Sequence, residues 1–452
     1  MQNQSKTAKP NKMGVMPVRP LLLTMAIPLM LSLVVQSLYN IVDSIFVAKL
    51  SEQALTATSL AYPVQILMIA LSVGTGVGIN ALISRLLGAG KREEVGRAAA
   101  TGIVLALLSA ALFMAVGLCA AGPIARALAG TEEIARLCEQ YLFICMVFCY
   151  GVFLETIAQR FLQASGRTTL SMVSLIVGAV TNIILDPIMI FGYLGCPALG
   201  IRGAAIATVI GQWVGAAVAL LLNRFMNPDV QVRFKGFRLE GKTVAAIYKV
   251  GLPTIIMQAM GSVMNFGINA MLADATAVAF FGAYYKLQNF LFMPMNGLGQ
   301  ACLPIVGFNY GAKKGGRIRE TARTGMLWGI GIGLLGTVLF LLIPGPLLKL
   351  FNASEQMLSF GVVAVRIMCV TYAMCSVTTI LGMCASGLGN GVVNMLGTGI
   401  RQVILLLPCF FLLHRAFGLP AAWFAMWISE AVAVVYVLLA MRRELQKKVD
   451  TL

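Results

Sequence analysis

The sequence predicts an all-α polytopic membrane protein: twelve transmembrane helices in two parallel-repeat six-helix lobes. Three observations predict it. Apolar stretches long enough to cross a bilayer recur from end to end. Only 11% of the 452 residues are charged, while 59% are hydrophobic. Short motifs also recur in the same order about 220 residues apart.

A soluble globular chain carries roughly 25% charged residues. A chain this apolar has too little polar surface to cover a water-soluble core, so lipid is its solvent. The net charge of +17 would suggest nucleic acid on a soluble protein. Here the basic residues fall in short connections between apolar runs, which is where orientation signals belong. Nucleic acid is therefore not an expected partner; the lipid bilayer is. Ten cysteines lie almost all inside apolar runs, without a CxxC pair or a His/Cys cluster, so they read as small packing side chains. The polar, basic stretch through Pro20 lacks the apolar core and small-residue site of a cleaved signal peptide. The first apolar run reads as an uncleaved insertion signal.

A spanning helix needs about 20 mostly apolar residues. The first six spans are read at 20–48, 56–86, 95–121, 137–163, 168–194 and 201–225. The second six are read at 245–273, 281–309, 319–343, 359–386, 392–416 and 420–442. This divides the chain into a first lobe (1–225), a basic linker (226–244) and a second lobe (245–452). Lys and Arg concentrate on the side that holds both termini and the even-numbered connections. Lys6, Lys9, Lys12 and Arg19 lie there, as do Arg233, Lys235, Arg238 and Lys242. By the positive-inside rule both termini are cytoplasmic, in the inner membrane of a bacterium.

The internal repeat rests on ordered anchors. Gly88-Ala89-Gly90-Lys91 resembles Gly311-Ala312-Lys313-Lys314, and Thr101-Gly102 matches Thr324-Gly325. Gly74 and Gly76 match Gly297 and Gly299, Pro28 matches Pro253, and Pro187 matches Pro408. Gln163-Ala164-Ser165-Gly166 matches Cys384-Ala385-Ser386-Gly387. A six-helix unit returns to its starting side, so the copies are parallel and related by an axis along the membrane normal.

No nucleotide-binding motif accompanies these helices. Gly74-Thr75-Gly76-Val77-Gly78 sits inside an apolar span, where close helix packing is its expected role. Energy from an ion gradient is expected, with no cofactor beyond Na⁺ or H⁺ and no nucleotide. A lone histidine at a span end (His414) and no HExxH speak against an intramembrane enzyme. Acids deep within spans are few: Asp43, Glu155, Asp186 and Glu430. Each costs about 3 kcal/mol at the bilayer centre on insertion scales, so each needs a cation, a proton or donors. Gln36, Asn40 and Asp43 share a face of the first span by their spacing of four and three. Asn182 and Asp186 share a face of the fifth, and Pro187 frees the carbonyl of Ile183. Two carboxylates, an amide and a loosened backbone suit Na⁺ or a shared proton. Gln258, Asn265 and Asn269 form a similar polar face in the seventh span, without an acid. They read as lining a cavity or bridging helices. Glu430 and Arg401 read as a structural pair across helices; Glu155 and Arg160, near the end of span four, read as a structural pair or a gate. Lys286 and Arg366 are expected to snorkel outward.

Several motifs together resemble one family. Tyr39-Asn40-Ile41-Val42-Asp43-Ser44-Ile45-Phe46-Val47 is followed by Ala61-Tyr62-Pro63. Asn182-Ile183-Ile184-Leu185-Asp186-Pro187 is followed by Gly200-Ile201-Arg202-Gly203-Ala204-Ala205-Ile206-Ala207-Thr208. These are similar to the multidrug and toxic-compound extrusion (MATE) transporters, in the branch named for the DNA-damage-inducible F protein. The resemblance covers essentially all twelve spans. It implies a V-shaped two-lobe fold that exports cationic amphiphilic compounds in exchange for Na⁺ or H⁺. It also implies a first-lobe ion site of Asp43, Asn182, Asp186 and Thr208. Gln36, Tyr39, Asn40, Gln258, Asn265 and Asn269 are the candidate substrate-lining residues. The other main bacterial branch uses acids in spans seven and ten, where this sequence offers only Asp274. A flippase for lipid-linked oligosaccharide or peptidoglycan precursors is the alternative within the superfamily. Only Lys286, Arg366 and Arg401 lie within spans to meet its anionic headgroup, which disfavours it.

Overall fold

The computed structural model describes residues 11–272, 274–351 and 353–451. Lys6 and Lys9 of the basic N-terminal stretch lie outside the described residues. Nearly all of the described chain is helical, and no strand occurs within it. After a short α1 (Lys12–Val15), the first half runs α2 (Val18–Leu50), α3 (Glu52–Gly88) and α4 (Arg92–Leu128). It continues through α5 (Glu132–Val147), α6 (Tyr150–Ala164), α7 (Thr168–Phe191) and α8 (Ile201–Met226). The second half runs α9 (Gly241–Met271), α10 (Ala275–Gly311), α11 (Gly315–Leu342) and the short α12 (Pro344–Lys349). Next come α13 (Glu355–Cys369), α14 (Tyr372–Gly387) and α15 (Gly391–Gly399). A π-turn at Ile400–Ile404 leads into α16 (Leu406–Phe417), α17 (Leu419–Ala422) and α18 (Ala425–Lys448).

Ten helical stretches are long and apolar enough to cross a membrane uninterrupted. Two more spans are bent: α5 and α6 meet at 47°, α13 and α14 at 44°. Counting each bent pair as one gives the twelve spans read from hydropathy. The bends fall in the fourth span of each half, as a duplication requires.

Some helices begin where side chains supply caps. Ser51 accepts the Ala54 N–H at 3.0 Å to open α3, and Ser354 accepts that of Met357 at 3.1 Å to open α13. Asp274 accepts the Thr276 N–H at 3.2 Å, a capping role that satisfies an orphan donor of α10. The one second-half acid noted at the end of span seven is thus a helix cap outside the span. With 33 residues, α2 is about 50 Å long at 1.5 Å per residue. It exceeds the roughly 30 Å hydrocarbon core and extends beyond it.

The repeat anchors mark reciprocal contacts between the halves. A Cβ on Gly88 would lie 1.8 Å from the Phe308 carbonyl oxygen, and one on Gly311 1.9 Å from that of Arg85. Here α3 and α10 cross backbone to backbone. A Cβ on Gly74 would strike Ile255 of α9 at 2.3 Å, and its counterpart on Gly297 would strike Met30 of α2 at 2.8 Å. Within a half, Gly76 faces Arg160 as Gly299 faces Met383. Glycine recurs in both copies because a pseudo-twofold axis repeats each crossing.

The described ends meet at one end of the molecule. Lys314 donates to the Gly14 carbonyl at 2.7 Å, and Arg317 to the Met13 and Met16 carbonyls at 3.1 and 2.6 Å. Arg319 pairs with Asp450. The chain between α8 and α9 is pinned rather than free. The Arg233 N–H donates to the Gly96 carbonyl at 3.3 Å, and Val230 is buried.

Candidate functional site

Two of the four span acids, Asp43 and Asp186, converge where α2, α7 and α8 pack together. Glycines allow α7 and α8 to approach closely: a Cβ on Gly211 would lie 2.9 Å from the Gly178 carbonyl oxygen and 3.0 Å from Asn182 Cβ. The spacing of four puts Asn182 and Asp186 on one face of α7, and both are buried. The Asn182 amide donates to Asp186 Oδ1 at 3.2 Å and to Thr208 Oγ1 at 3.5 Å. Thr208 spends its own proton on the Ala204 carbonyl at 3.0 Å, so its oxygen lone pairs face the cluster. Across from α7, the Asp43 carboxyl is close enough to the Asp186 carboxyl for the two to interact. All four residues expected at a first-lobe ion site are therefore neighbours.

Three oxygens here are buried without a donor: Asp43 Oδ1, Asn182 Oδ1 and Asp186 Oδ2. No Lys or Arg pairs with either acid among the described residues. Two carboxyl groups in contact cannot both stay ionised in low dielectric without a compensating charge. The oxygen-only donor set fits a shared proton or a hard monovalent cation, and no His, Cys or third acid joins it to make a transition-metal site among the described residues.

Tyr39, one turn before Asp43 on α2, is a neighbour of Glu155 as well. The expected pairing of Glu155 with Arg160 does not occur. Glu155 accepts from Gln159 at 3.1 Å. Arg160 donates to Gln163 at 2.8 Å and, across the halves, to Gln300 at 2.9 Å. A spacing of five turns the two side chains about 140° apart on a helix, so each finds other partners. The shared face of Gln36, Asn40 and Asp43 also divides: Asn40 is exposed and Gln36 half-buried, while Asp43 turns an oxygen into the interior.

The second half holds a cavity of about 210 Å³. Gln258 lines it with Asn289, Asn296, Thr379, Arg401 and Gln402. Asn265 and Asn269 lie outside its lining, although Asn269 Oδ1 is buried without a donor. The seventh-span polar face is thus split between a cavity wall and helix packing. Sequence reading missed Asn289 and Asn296, which are seven apart on α10 and would have shown as a polar stripe. The Arg401–Glu430 pair is present at 3.6 Å, with both side chains 11% exposed. Lys286 and Arg366 are exposed, as snorkelling side chains should be.

A family model described as MatE matches residues 28–188 and again residues 252–411. The chain belongs to the MatE family. Members of this family are transporters, not enzymes. The double match follows the internal repeat, and its first part contains Asp43, Asn182 and Asp186, while Thr208 lies beyond it. The MatE chain is 25% identical over 430 residues to a Staphylococcus aureus protein named multidrug export protein MepA, covering 94% of this chain and 93% of that one. It is 27% identical over 422 residues to the probable multidrug resistance protein NorM of Thermotoga maritima, covering 90% and 89%. Its fold superposes with a TM-score of 0.91 on an outward-facing multidrug resistance MATE transporter of the MOP superfamily. That structure is 22% identical and is covered to 99%, against 98% of this chain.

Proposed function

We propose that this MatE transporter exports cationic amphiphilic compounds from a bacterial cell in exchange for Na⁺ or H⁺. The coupling ion would bind at Asp43, Asn182, Asp186 and Thr208. The observation that carries the reading is the cluster of three donor-less buried oxygens on two neighbouring acids and the amide beside them. Relatives named as multidrug export and resistance proteins along nearly the whole chain support the export role. The first-half placement of the acids supports the DNA-damage-inducible F-like branch.

A coupling site must bind its ion with different affinity in two states of the protein. With the ion or proton bound, Asp43 on α2 and Asp186 on α7 are bridged, and the two helices stay together. On release, two facing carboxylates repel, and α2 separates from α7 unless a substrate cation intervenes. Ion and drug would then compete for the same negative charge, which makes the exchange obligatory.

The test is accumulation of a fluorescent cationic dye in efflux-deficient bacteria at matched expression. Wild type should lower cell-associated dye, and Asp43→Asn should restore it to the level of empty cells. Efflux retained by Asp43→Asn would remove this acid from the mechanism. Failure of wild type to lower dye would count against multidrug export itself.

A further inference from the structure

The second-half cavity is not used by the mechanism above, and its wall carries one formal charge. Arg401 supplies it, and no acid lines the cavity among the described residues. Glu430 stands behind the guanidinium, outside the lining. It meets Nη1 of Arg401, which also contacts Cys375 Sγ. The Phe292 ring lies 5.8 Å from the Arg401 Cζ and holds the guanidinium in place. The Nε–H is buried without an acceptor, and Nη2, which is not buried, makes no hydrogen bond among the described residues, so Arg401 is satisfied at Nη1 only. The π-turn at Ile400–Ile404 sets this geometry. Pro408 cannot donate to the carbonyl one turn back, and the Leu405 N–H bonds instead to the Ile400 carbonyl at 3.2 Å. The widened turn brings Arg401 and its neighbour Gln402 both to the wall.

A guanidinium this deep with Nη2 and Nε unpaired is costly until an acceptor reaches it. The acceptor a guanidinium binds most strongly is an anion, and a carboxylate on Nη2 could turn its second oxygen toward Nε if the side chain shifts. Asn289 and Asn296 add amide donors from α10, and Phe292 and Met295 offer apolar contact. We propose that this cavity is a binding subsite for the carboxylate of a small amphiphilic acid or zwitterion. The chain would thus accept compounds bearing a carboxylate as well as a cation. The proposal adds to the exporter reading and rests on it only for the route by which the ligand arrives.

The experiment is equilibrium binding of tritiated 4-phenylbutyrate to the full chain in phosphatidylcholine nanodiscs, with no ion gradient. Wild type should bind the acid at least about tenfold tighter than its methyl ester competes, as expected of a charge-assisted pair. Arg401→Gln should abolish that preference. Glu430→Gln should tighten acid binding several-fold, because Arg401 loses its competing partner; a purely structural ion pair predicts weaker binding in both variants. If Arg401→Gln does not fold, Arg401→Lys keeps a charge opposite Glu430 but loses the planar fork. It should weaken acid binding at least about fivefold. Equal affinity for acid and ester in wild type, or a preference that survives in Arg401→Gln or is undiminished in Arg401→Lys, would overturn the proposal. Displacement by hexyl phosphate at lower concentration than by phenylbutyrate would also overturn it and assign the cavity to a lipid phosphate. Because no gradient is used, this result and the dye-efflux result stand or fall separately.

Discussion

At the scale of the residue, the proposed coupling site makes the acid pair a single unit. Asp43 and Asp186 are close neighbours, and if the proposed coupling site is theirs, removing either carboxyl removes the ion they would share. Residues that act as a unit are strongly non-additive when mutated. We expect Asp43→Asn and Asp186→Asn each to cut gradient-driven efflux in proteoliposomes at least about tenfold, and the double variant to lose no more than either single. Losses that multiply in the double variant would show two separate sites. Asp186 and Asn182 were legible in the sequence because an acid deep in an apolar span is rare and its amide neighbour lies four residues away. Thr208 was legible only through the motif that surrounds it, since a threonine in a helix has ordinary packing uses. Asn40, Asn265 and Asn269 show the limit of spacing. A helical period says which residues share a face, but not which neighbour that face meets. The same limit hid Asn289 and Asn296, whose neutral amides raise no alarm in an apolar run.

Among the elements, the crossing of α3 and α10 carries the duplication in its geometry. Gly88 and Gly311 admit no Cβ without moving the opposing backbone, and backbone yields less readily than a flexible side chain. Gly88→Ala should destabilise the protein by about 1–3 kcal/mol, the usual range for overpacking, lowering its thermal midpoint in detergent. Gly316→Ala is the control: a Cβ there meets nothing within 4 Å, and its helix gains from losing a glycine. Similar midpoints for the two variants would mean that α3 and α10 do not cross this closely in the folded protein. The glycine anchors were visible in the sequence as a repeat, and their purpose became visible only when the carbonyls opposite them were placed. The bends after Val147 and Cys369 left no such mark. No proline stands at either break, and hydropathy measures how apolar a run is, not its direction. The π-turn before Pro408 is intermediate: proline announces a disturbance, while its form depends on the neighbours of Arg401.

Across the whole molecule, orientation decides which way the proposed ion exchange would move its substrate. Positive charge gathers where α1, the α10–α11 turn and the end of α18 meet, with Lys314, Arg317 and Arg319 bound to the terminal segments. The pinned segment between α8 and α9 holds Arg233, and Arg97 of α4 reaches Glu240 at its end. The opposite end, around the turn between α7 and α8, exposes Cys196. Anionic cytoplasmic headgroups attract such basic segments, by about 1 kcal/mol for each Lys or Arg near the surface, and insertion leaves them inside. The 26 residues of α8 separate Cys196 from the α8–α9 segment by about 39 Å at 1.5 Å per residue, enough to place them on opposite sides of a bilayer. In a variant keeping Cys196 as its only cysteine, a membrane-impermeant maleimide should label intact cells. With Cys196 replaced and Lys235→Cys introduced, labelling should require permeabilised cells. The reverse pattern would invert the protein and turn export into uptake for the same ion gradient, and labelling of both in intact cells would place the α8–α9 segment outside and break the twelve-span count.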